Sequence, residues 1–412
     1  MIQYDTLKTG ASMTSKSIDS FKRSLRFLGA GSSTLSKIYQ SEYEPAVIAR
    51  GKGCRIWDLD GREYIDFRNG LGPVTLGYSF REINNAIIQQ LKKGIVFGHP
   101  HRLEAEAAEK LISVIPCAEK VRFLKTGGEA VAACIKIARA YTGRDDIIHC
   151  GYNGWLNVLS KGEGFRVNIN RDAALKGIPV DIAKHHLSLP WADCAKWKEA
   201  IEQRHKQIAA VVIACDYAEF YQAKEFLPFL RELTAQYGIL IIMDEIVMGF
   251  RIALGGAHDF FNIKPDLAVF AKGLANGMPV SVYCGRAELI DLSGEIGISS
   301  TYGGETLSLA ALIKVIACYQ KYNVIARLKE SGEYIWNKVN SLFQIKKIPA
   351  EMKGHPACKA LTFAEKDAGK KFMKNCFRQG VSLYHVAYVN YSHAKKDLDE
   401  AYCRIEKAVQ NI

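Results

Sequence analysis

The chain lacks any long hydrophobic run. Its longest apolar stretches, such as residues 208–215, are far shorter than the roughly 20 residues that a membrane-spanning helix needs. No basic segment followed by an apolar one opens the chain, so the sequence predicts no secretory signal. The 11 cysteines include no CxxC pair, and several lie inside apolar runs. Together these absences predict a cytoplasmic protein with reduced core thiols and no membrane partner.

Clusters of one charge sign are also absent. The formal net charge is +12, but the lysine and arginine residues are scattered along the chain. A clustered basic patch would indicate nucleic-acid binding, whereas scattered charge favours a basic surface suited to anionic small molecules. The sequence therefore predicts no nucleic-acid partner, and no metal site is predicted either.

The composition is that of a globular protein. With 412 residues, 48% of them apolar and 24% charged, the chain can form one large and one smaller domain. The first forty residues are polar and rich in serine, which predicts a loosely attached arm. The segment "IWDLDGREYIDF" at 56–67 predicts a hairpin that turns at Asp60 and Gly61.

From about residue 76, helical patterns alternate with short apolar strands. Strands are predicted at 121–124, 147–150, 210–214, 239–243, 267–270 and 280–284. Such alternation predicts an α/β fold with a mostly parallel sheet and helices on both faces. The last hundred residues predict a smaller α+β unit that ends in a helix over 396–409. We therefore expect an arm and part of the small domain at 1–75, a large domain at 76–310, and the rest of the small domain at 311–412.

Polar groups follow four of these strands. Thr126, Gly127 and Gly128 come after the first, "GYNGW" after the second, Asp244 after the apolar run "ILIIM", and Lys272 after the strand at 267–270. Each has a plainer interpretation when taken singly, such as an ordinary helix cap or a solvated lysine. In an open parallel sheet, however, all of them lie at the edge where ligands bind.

One cofactor uses all four groups. Pyridoxal phosphate has a phosphate that glycine-exposed N–H groups can bind and a ring on which an aromatic side chain can stack. It also has a pyridine nitrogen that a buried aspartate keeps protonated and an aldehyde that condenses with lysine. Asp244 needs a cationic partner if it is buried, and the sequence predicts that the pyridinium supplies it.

Through these four groups and the segments around them, the chain resembles the class III aminotransferases of pyridoxal-phosphate fold type I. Within that class it is most similar to the branch of glutamate-1-semialdehyde 2,1-aminomutase. The resemblance covers about residues 45–312 and is weaker beyond. It is carried, in order along the chain, by "DGREYIDF", "KTGGEAV", "ARAYTGRDDII", "MDEIVMGFR", "FNIKPDLAVFAKG" and "STYGGETLSLAA".

The resemblance implies a role for each matching residue. Lys272 is the Schiff-base lysine and Asp244 the partner of the pyridine nitrogen. Tyr152 stacks on the ring, with Asn153 beside it, and Ile246 packs on the other face. Thr126, Gly127 and Gly128, which begin the helix predicted after the strand at 121–124, bind the phosphate. Thr301 reaches the phosphate from a neighbouring subunit, which implies a homodimer with shared active sites, a seven-stranded sheet in the large domain and a smaller α+β domain.

Several segments depart from the family pattern. Tyr152-Asn153 stands where an aromatic-His pair is usual, and Ala214-Cys215 where a Glu-Pro pair is usual. The N-terminal arginine that binds the substrate carboxylate in the aminomutases is missing, with only Lys37 nearby in "SSTLSKIY". Leu71 in "GLGP" replaces the aromatic residue of their "SWGP" segment. The cofactor-binding parts are therefore kept, while the substrate-binding parts are rebuilt.

Three functions fit this pattern. The leading hypothesis is an aminotransferase that moves an amino group from an amino-acid donor to a larger, more polar aldehyde or ketone. The "GGETLSLAA" segment of this chain resembles the corresponding segment in enzymes of surface-polysaccharide or specialised-metabolite biosynthesis. The second is an intramolecular aminomutase. The third is a non-catalytic protein on an aminotransferase fold, which the presence of both Lys272 and Asp244 disfavours.

Overall fold

The computed structural model describes residues 15–41, 43–156 and 176–410. Its strands are β1 (Ile48–Lys52), β2 (Arg55–Asp58), β3 (Glu63–Asp66), β4 (Lys120–Leu124), β5 (Asp146–Cys150), β6 (His186–Ser188), β7 (Ile208–Ile213), β8 (Leu240–Asp244), β9 (Leu267–Phe270), β10 (Ser281–Gly285), β11 (Ala350–Lys353), β12 (Cys358–Phe363), β13 (Val381–Ser382) and β14 (Val386–Tyr388). Its helices are α1 (Lys16–Phe27), α2 (Arg81–Leu91), α3 (Arg102–Ile112), α4 (Gly127–Thr142), α5 (Val180–Ala183), α6 (Cys194–Arg204), α7 (Ala223–Tyr237), α8 (Ala257–Phe260), α9 (Ala287–Glu295), α10 (Thr306–Tyr322), α11 (Val324–Ile345), α12 (Lys366–Arg378) and α13 (Lys395–Val409). Short 3₁₀ turns cover Gly29–Gly31, Leu35–Lys37, Phe220–Gln222 and Lys272–Ala275.

The main sheet has seven strands in the order β4-β10-β9-β8-β7-β5-β6. Strands β9, β8, β7, β5 and β6 are parallel, while β10 is antiparallel to both of its neighbours, β4 and β9. Because two antiparallel steps restore the direction, β4 runs the same way as β9. The carboxyl ends of β4, β5, β7, β8 and β9 therefore meet at one edge of the sheet, where ligands bind in this kind of fold. The predicted α/β fold with a mostly parallel seven-stranded sheet is confirmed.

The central strands are buried on both faces. Every residue of β7 and β8 is buried. Along β8, Ile241 and Met243 belong to one core cluster, and Leu240 and Ile242 belong to another on the opposite face. Continuous apolar runs are typical of parallel strands covered by helices on both sides. The seventh strand, β6, was not among those predicted, because three residues of mixed polarity give no apolar run.

Two smaller sheets accompany the main sheet, and one of them contains strands from both ends of the described chain. The first has the order β1-β2-β3-β13, in which β13 pairs in parallel with β3, and the second has the order β11-β12-β14. The predicted hairpin is confirmed, since β2 and β3 pair antiparallel and Gly61 turns the chain with φ +83°. The final helix, predicted over 396–409, is α13. The division into 1–75, 76–310 and 311–412 stays a prediction.

The N-terminal segment is better ordered than expected. Residues 16–27 form α1, and Asp60 of the hairpin turn accepts hydrogen bonds from Ser15 Oγ at 2.6 Å and from the Lys16 N–H at 2.7 Å. Ser17 is buried and exchanges hydrogen bonds with the backbone of Val47. The prediction of a loosely attached arm is therefore wrong for residues 15–41. It failed because these anchoring contacts join segments that are distant in sequence.

Within the described ranges, no single helix is long and apolar enough to cross a membrane. Helices α10 and α11 together have the length and composition of a membrane span, but the pair is bent by 68° at the break between them.

Candidate active site

Asp244 is the last residue of β8 and lies at the ligand-binding edge of the sheet. It is only 6% exposed. Its Oδ1 accepts the N–H of Ile246 at 3.1 Å, and its Oδ2 lies 3.4 Å from Asn153 Nδ2. Within the described part of the chain, no basic side chain lies within 4.0 Å of this carboxylate. Burial raises the pKa of Asp244 to about 7. The hydrogen bonds from Ile246 and Asn153 and the charge of Lys272 act in the opposite direction and lower this pKa.

The adjacent Glu245 provides an internal comparison. It is fully buried, but its carboxylate accepts the N–H groups of Ala257 at 2.7 Å and His258 at 2.8 Å. Its Oε1 also lies 3.1 Å from His258 Nδ1. Burial opposes the charge of this imidazole, but contacts with Cys117 and Glu245 outweigh it and raise the pKa of His258 to about 10. Glu245 thus has an ionic partner within the chain, whereas Asp244 has none among the described residues.

Lys272 follows β9 at the same edge. It begins the 3₁₀ turn Lys272–Ala275 with φ +45°, a left-handed conformation that is strained for a residue with a side chain. The loss of water around its amine lowers the pKa of Lys272 to about 8; Asp244 opposes this effect and Arg251 adds to it. A substantial fraction of this lysine is therefore neutral, and hence nucleophilic, near neutral pH.

The start of α4 offers the N–H groups of a candidate anion site. Thr126 caps the helix and forms a capping box with Glu129, whose carboxylate accepts the Thr126 N–H at 2.7 Å. The N–H groups of Gly127 and Gly128 come next and, at this position in a helix, have no intrahelical acceptor. A Cβ on Gly127 would lie 2.3 Å from Ile246 Cδ1, so the absence of a side chain lets Ile246 pack against the helix start.

The aromatic position lies beyond β5. Tyr152 is 46% exposed, and burial of its hydroxyl together with the charge of Asp244 raises the pKa of Tyr152. Asn153 is buried, and its Oδ1 has no hydrogen-bond partner. The strand ends thus bring Asp244, Asn153 and Tyr152 into one region.

Thr301 is placed differently from the other predicted residues. It is exposed in the loop before α10, and no hydrogen bond joins it to another predicted site residue in the ranges described. The loop itself lies near the end of β4, because a Cβ on Gly303 would be 2.7 Å from the carbonyl oxygen of Phe123. Lys125, beside the anion site, donates to Glu305 at 3.0 Å and so ties the start of α10 to this edge.

Sequence reasoning missed three residues beside Lys272. Arg251 is completely buried, and its side chain donates to the carbonyls of Gly72 and, at 2.9 Å, Val247. Its guanidinium lies 4.6 Å from the centroid of the Tyr388 ring. A Cβ on Gly72 would lie within 3.6 Å of Arg251, Tyr388 and Lys272 at once. Arg251 is the last residue of the segment "MDEIVMGFR", and an arginine after its apolar residues is the signal that could have marked it as a site residue. No local sequence pattern marks Gly72 or Tyr388.

Loops from distant parts of the chain meet at Arg68, four residues before Gly72. Arg68 pairs with Glu44 at 2.6 Å and donates to the Ser36 carbonyl at 2.7 Å. Its guanidinium also lies 4.9 Å from the centroid of the Tyr384 ring. These contacts bring the segment that contains Lys37 against the loop that follows β3, while Lys37 itself is exposed.

The loop after Arg68 has an unusual backbone. Four successive residues, Asn69, Gly70, Leu71 and Gly72, have φ between +47° and +104°. Side-chain hydrogen bonds hold Asn69, which donates to the Tyr388 carbonyl at 2.9 Å and accepts from Asn390 at 2.7 Å. Such strain persists only where the surroundings determine the conformation, and it is concentrated at functional sites.

These residues fit the cofactor that the sequence predicts. Asp244 is a buried carboxylate without an ionic partner among the described residues, and the absent Cβ of Gly127 lets Ile246 pack against the start of α4, beside the N–H groups that have no intrahelical acceptor. When bound, pyridoxal phosphate supplies an aldehyde for condensation with amines and a ring that accepts an electron pair. Asp244, Lys272 and the α4 start would hold its ring nitrogen, its aldehyde and its phosphate.

Comparison with known proteins agrees with this geometry. The family described as Aminotransferase class-III matches residues 38–409. The chain is 30% identical to the glutamate-1-semialdehyde 2,1-aminomutase of Persephonella marina, over 96% of this chain and 99% of that protein. It is also 30% identical to the 3-aminobutyryl-CoA aminotransferase of Cloacimonas acidaminovorans, over 93% and 94% of the two chains. Among solved structures, an omega-transaminase from Sphaerobacter thermophilus superposes with a TM-score of 0.85 at 25% identity, over 97% and 98% of the two chains.

Proposed function

The chain belongs to the class-III aminotransferases, enzymes that depend on pyridoxal 5'-phosphate, and we propose that it transfers an amino group from an amino-acid donor to a polar aldehyde or ketone. The predicted family, enzyme class and cofactor are confirmed. The substrates and the roles of individual residues belong to the proposal.

The contrast between Asp244 and Glu245 carries the proposal. Both carboxylates are buried, but only Glu245 has a cationic partner among the described residues. A buried carboxylate without a cation is unfavourable by several kcal/mol, so its presence at a ligand-binding edge indicates that a ligand brings the positive charge. A protonated pyridine ring meets that requirement.

The chain's own groups can then divide the chemistry. Asp244 would hold a proton at the ring nitrogen, and the N–H groups of Gly127 and Gly128 would bind the phosphate. Tyr152 and Ile246 would hold the two faces of the ring. Lys272 would anchor the cofactor through its amine and, once displaced by a donor amine, would move the proton of the substrate carbon as general base.

An intramolecular aminomutase is the second candidate, because glutamate-1-semialdehyde 2,1-aminomutases are among the relatives. The substrate side does not favour it. Arg68 lies against the N-terminal segment, but its charge is already paired with Glu44. Lys37 is exposed, and Leu71 stands at the aromatic position. Among the described residues of this segment and loop, a bidentate anchor for a small substrate carboxylate is therefore missing.

We further propose a cytoplasmic homodimer with shared sites, acting in polysaccharide or specialised-metabolite biosynthesis. All eleven cysteines are free, which suits a reducing compartment. Thr301 is exposed rather than turned into its own site, as a residue serving a neighbouring subunit would be. Exposed apolar side chains lie on and after α2, namely Ile88, Leu91, Ile95, Val96 and Phe97. The "GGETLSLAA" segment supports the proposed pathway, because it resembles a segment of enzymes in such biosynthesis.

The proposal is tested by a donor screen on the protein purified with its cofactor. Each amino acid is added without an acceptor, and cofactor absorbance and released keto acid are measured together. We expect at least one donor to change the absorbance and release one keto acid per site. If every donor binds without releasing a keto acid, transamination is excluded.

A further inference from the structure

Arg251 is a buried charge that the chemistry assigned above does not use. It is completely buried, yet its side-chain hydrogen bonds go to backbone carbonyls, those of Gly72 and Val247. Its Nη1 has no hydrogen-bond partner, and no carboxylate within the described ranges lies within 4.0 Å of the guanidinium. Removing an ion from water without a counter-ion is strongly unfavourable, so a residue kept in this state points to a functional use of its charge.

The guanidinium is held close to Lys272. From the position of a Cβ on Gly72, Arg251 Nη2 lies at 3.3 Å and Lys272 Cδ at 3.6 Å, so these two atoms are no farther apart than about 7 Å. The ring of Tyr388, whose Cζ is 3.5 Å from the same point, covers the guanidinium. Gly72 has φ +104°, which favours glycine, and a Cβ there would lie tightly against the Arg251 guanidinium and in contact with the other two groups.

Few other charges face the Lys272 amine. Asp244 approaches from β8 and favours the protonated form. The neighbouring acidic hydroxyl and thiol groups stay neutral, because burial raises the pKa of Tyr388 to about 12 and that of Cys358 to about 11. His355 is neutral as well, because burial lowers its pKa to about 4. Burial is the largest influence on the Lys272 amine, and the charges that add to or oppose it are those of Arg251 and Asp244.

We propose that Arg251 is a positioning residue whose unpaired charge adds to burial in keeping the amine of Lys272 neutral. The amine lies two bonds beyond Cδ, so the two charges are no farther apart than about 10 Å. Like charges at that distance and at an effective dielectric constant near 20 change a proton-binding equilibrium by about tenfold or more. The carbonyls of Gly72 and Val247 hold the guanidinium in place, and the absence of a nearby carboxylate leaves its field unneutralised. This role deepens the proposed function, since it assumes that Lys272 must react as a free amine.

The test measures the titration of Lys272 in the full-length, cofactor-free protein, by competitive labelling with trace acetic anhydride. The Lys272 peptide is quantified by mass spectrometry between pH 6 and pH 11, with exposed Lys264 as reference in the same sample. We expect Arg251→Met to lower Lys272 labelling at pH 7 by about tenfold, because the amine is protonated more often. Arg251→Lys, which keeps the charge, should stay within about threefold of the unmodified protein.

Arg144 provides the matched control. Its guanidinium also donates to backbone carbonyls, those of Ile208, Tyr237 and Gly238, but at the amino ends of β7 and β8. Arg144→Met should leave Lys272 labelling unchanged.

The proposal is overturned if folded Arg251→Met labels at the wild-type rate. Should that variant fail to fold, the wild-type profile still decides against the proposal if Lys272 titrates together with Lys264. Because labelling needs neither cofactor nor turnover, its outcome is independent of whether the donor screen succeeds.

Discussion

The two sides of the active site are held in place by different forces. On the sheet side, Asp244 is the last residue of β8, and Lys272 is the second residue after β9. The candidate anion site lies at the start of α4, the helix that follows β4. Their positions follow from the backbone hydrogen bonds of the sheet. On the loop side, residues 36–44, 68–72 and 384–390 are joined mainly by side-chain contacts such as Arg68–Glu44 and Asn69–Asn390.

This difference would account for the pattern of the resemblance, in which the sheet side matches the family's segments and the loop side departs from them. A substitution on the loop side alters a few side-chain contacts, whereas a change in strand order or length would move every group at the sheet edge. Cofactor chemistry can therefore stay constant while the substrate wall is rebuilt. The predictions below test this division, beginning with the sheet side.

The largest effect is expected from Lys272→Ala. Losing the nucleophile and the base together should lower turnover by about 10⁴-fold or more, with the fold intact. Turnover and covalent attachment of cofactor after borohydride reduction are measured. Lys264→Ala is the control, since Lys264 is an exposed lysine paired with Glu119 near the start of the same strand. Near-native turnover of Lys272→Ala would show that the lysine is assigned wrongly.

A smaller but still large effect is expected from Asp244→Asn. The variant should still attach the cofactor to Lys272, because the amine and the anion site are supplied by other strand ends. Its reaction with an active donor should be slower by about 10³-fold, because asparagine cannot stabilise a protonated ring nitrogen. Single-turnover absorbance measures the rate. A wild-type rate would mean that Asp244 does not face the ring, and loss of cofactor on purification would mean that its role is structural.

The same substitution should stabilise the cofactor-free protein. The pKa of Asp244 is about 7 in the folded state and 3.8 as its ordinary value, so the folded state retains the proton as pH rises between these values. Wild-type stability therefore falls across this window relative to Asp244→Asn, by on the order of 4 kcal/mol at pH 8, and the two proteins converge below about pH 4. Denaturant unfolding at pH 4, 6 and 8 measures the difference.

Glu245→Gln is the matched control for that experiment. It removes the charge that faces His258 and the N–H groups of α8, so it should destabilise the cofactor-free protein by about 2–4 kcal/mol. Opposite signs for the two neighbouring carboxylates are expected. If both variants are destabilised equally at pH 8, Asp244 is an ordinary buried acid.

Much of the sheet side could be predicted from sequence, because apolar runs locate strands and the next polar residue lies at their carboxyl ends. Asp244 and Lys272 were found in this way. The loop side could not be predicted, since Tyr388 meets Arg251 and Gly72 only through tertiary packing and no local pattern marks it. The helix at 16–27 was missed for a similar reason, because its anchor is Asp60 in a distant turn.

The central claim is that an intact cofactor side serves a rebuilt substrate side, and nitrogen tracing tests it most directly. The protein with its cofactor is given a ¹⁵N-labelled amino-acid donor identified by the screen or, separately, glutamate-1-semialdehyde. We predict that ¹⁵N enters the extracted cofactor with one keto acid released per site. Conversion of glutamate-1-semialdehyde should be poor, because loss of a bidentate carboxylate contact weakens binding by about 2–5 kcal/mol. Rapid formation of 5-aminolevulinate, without transfer from the labelled donor, would contradict the account and establish the aminomutase instead.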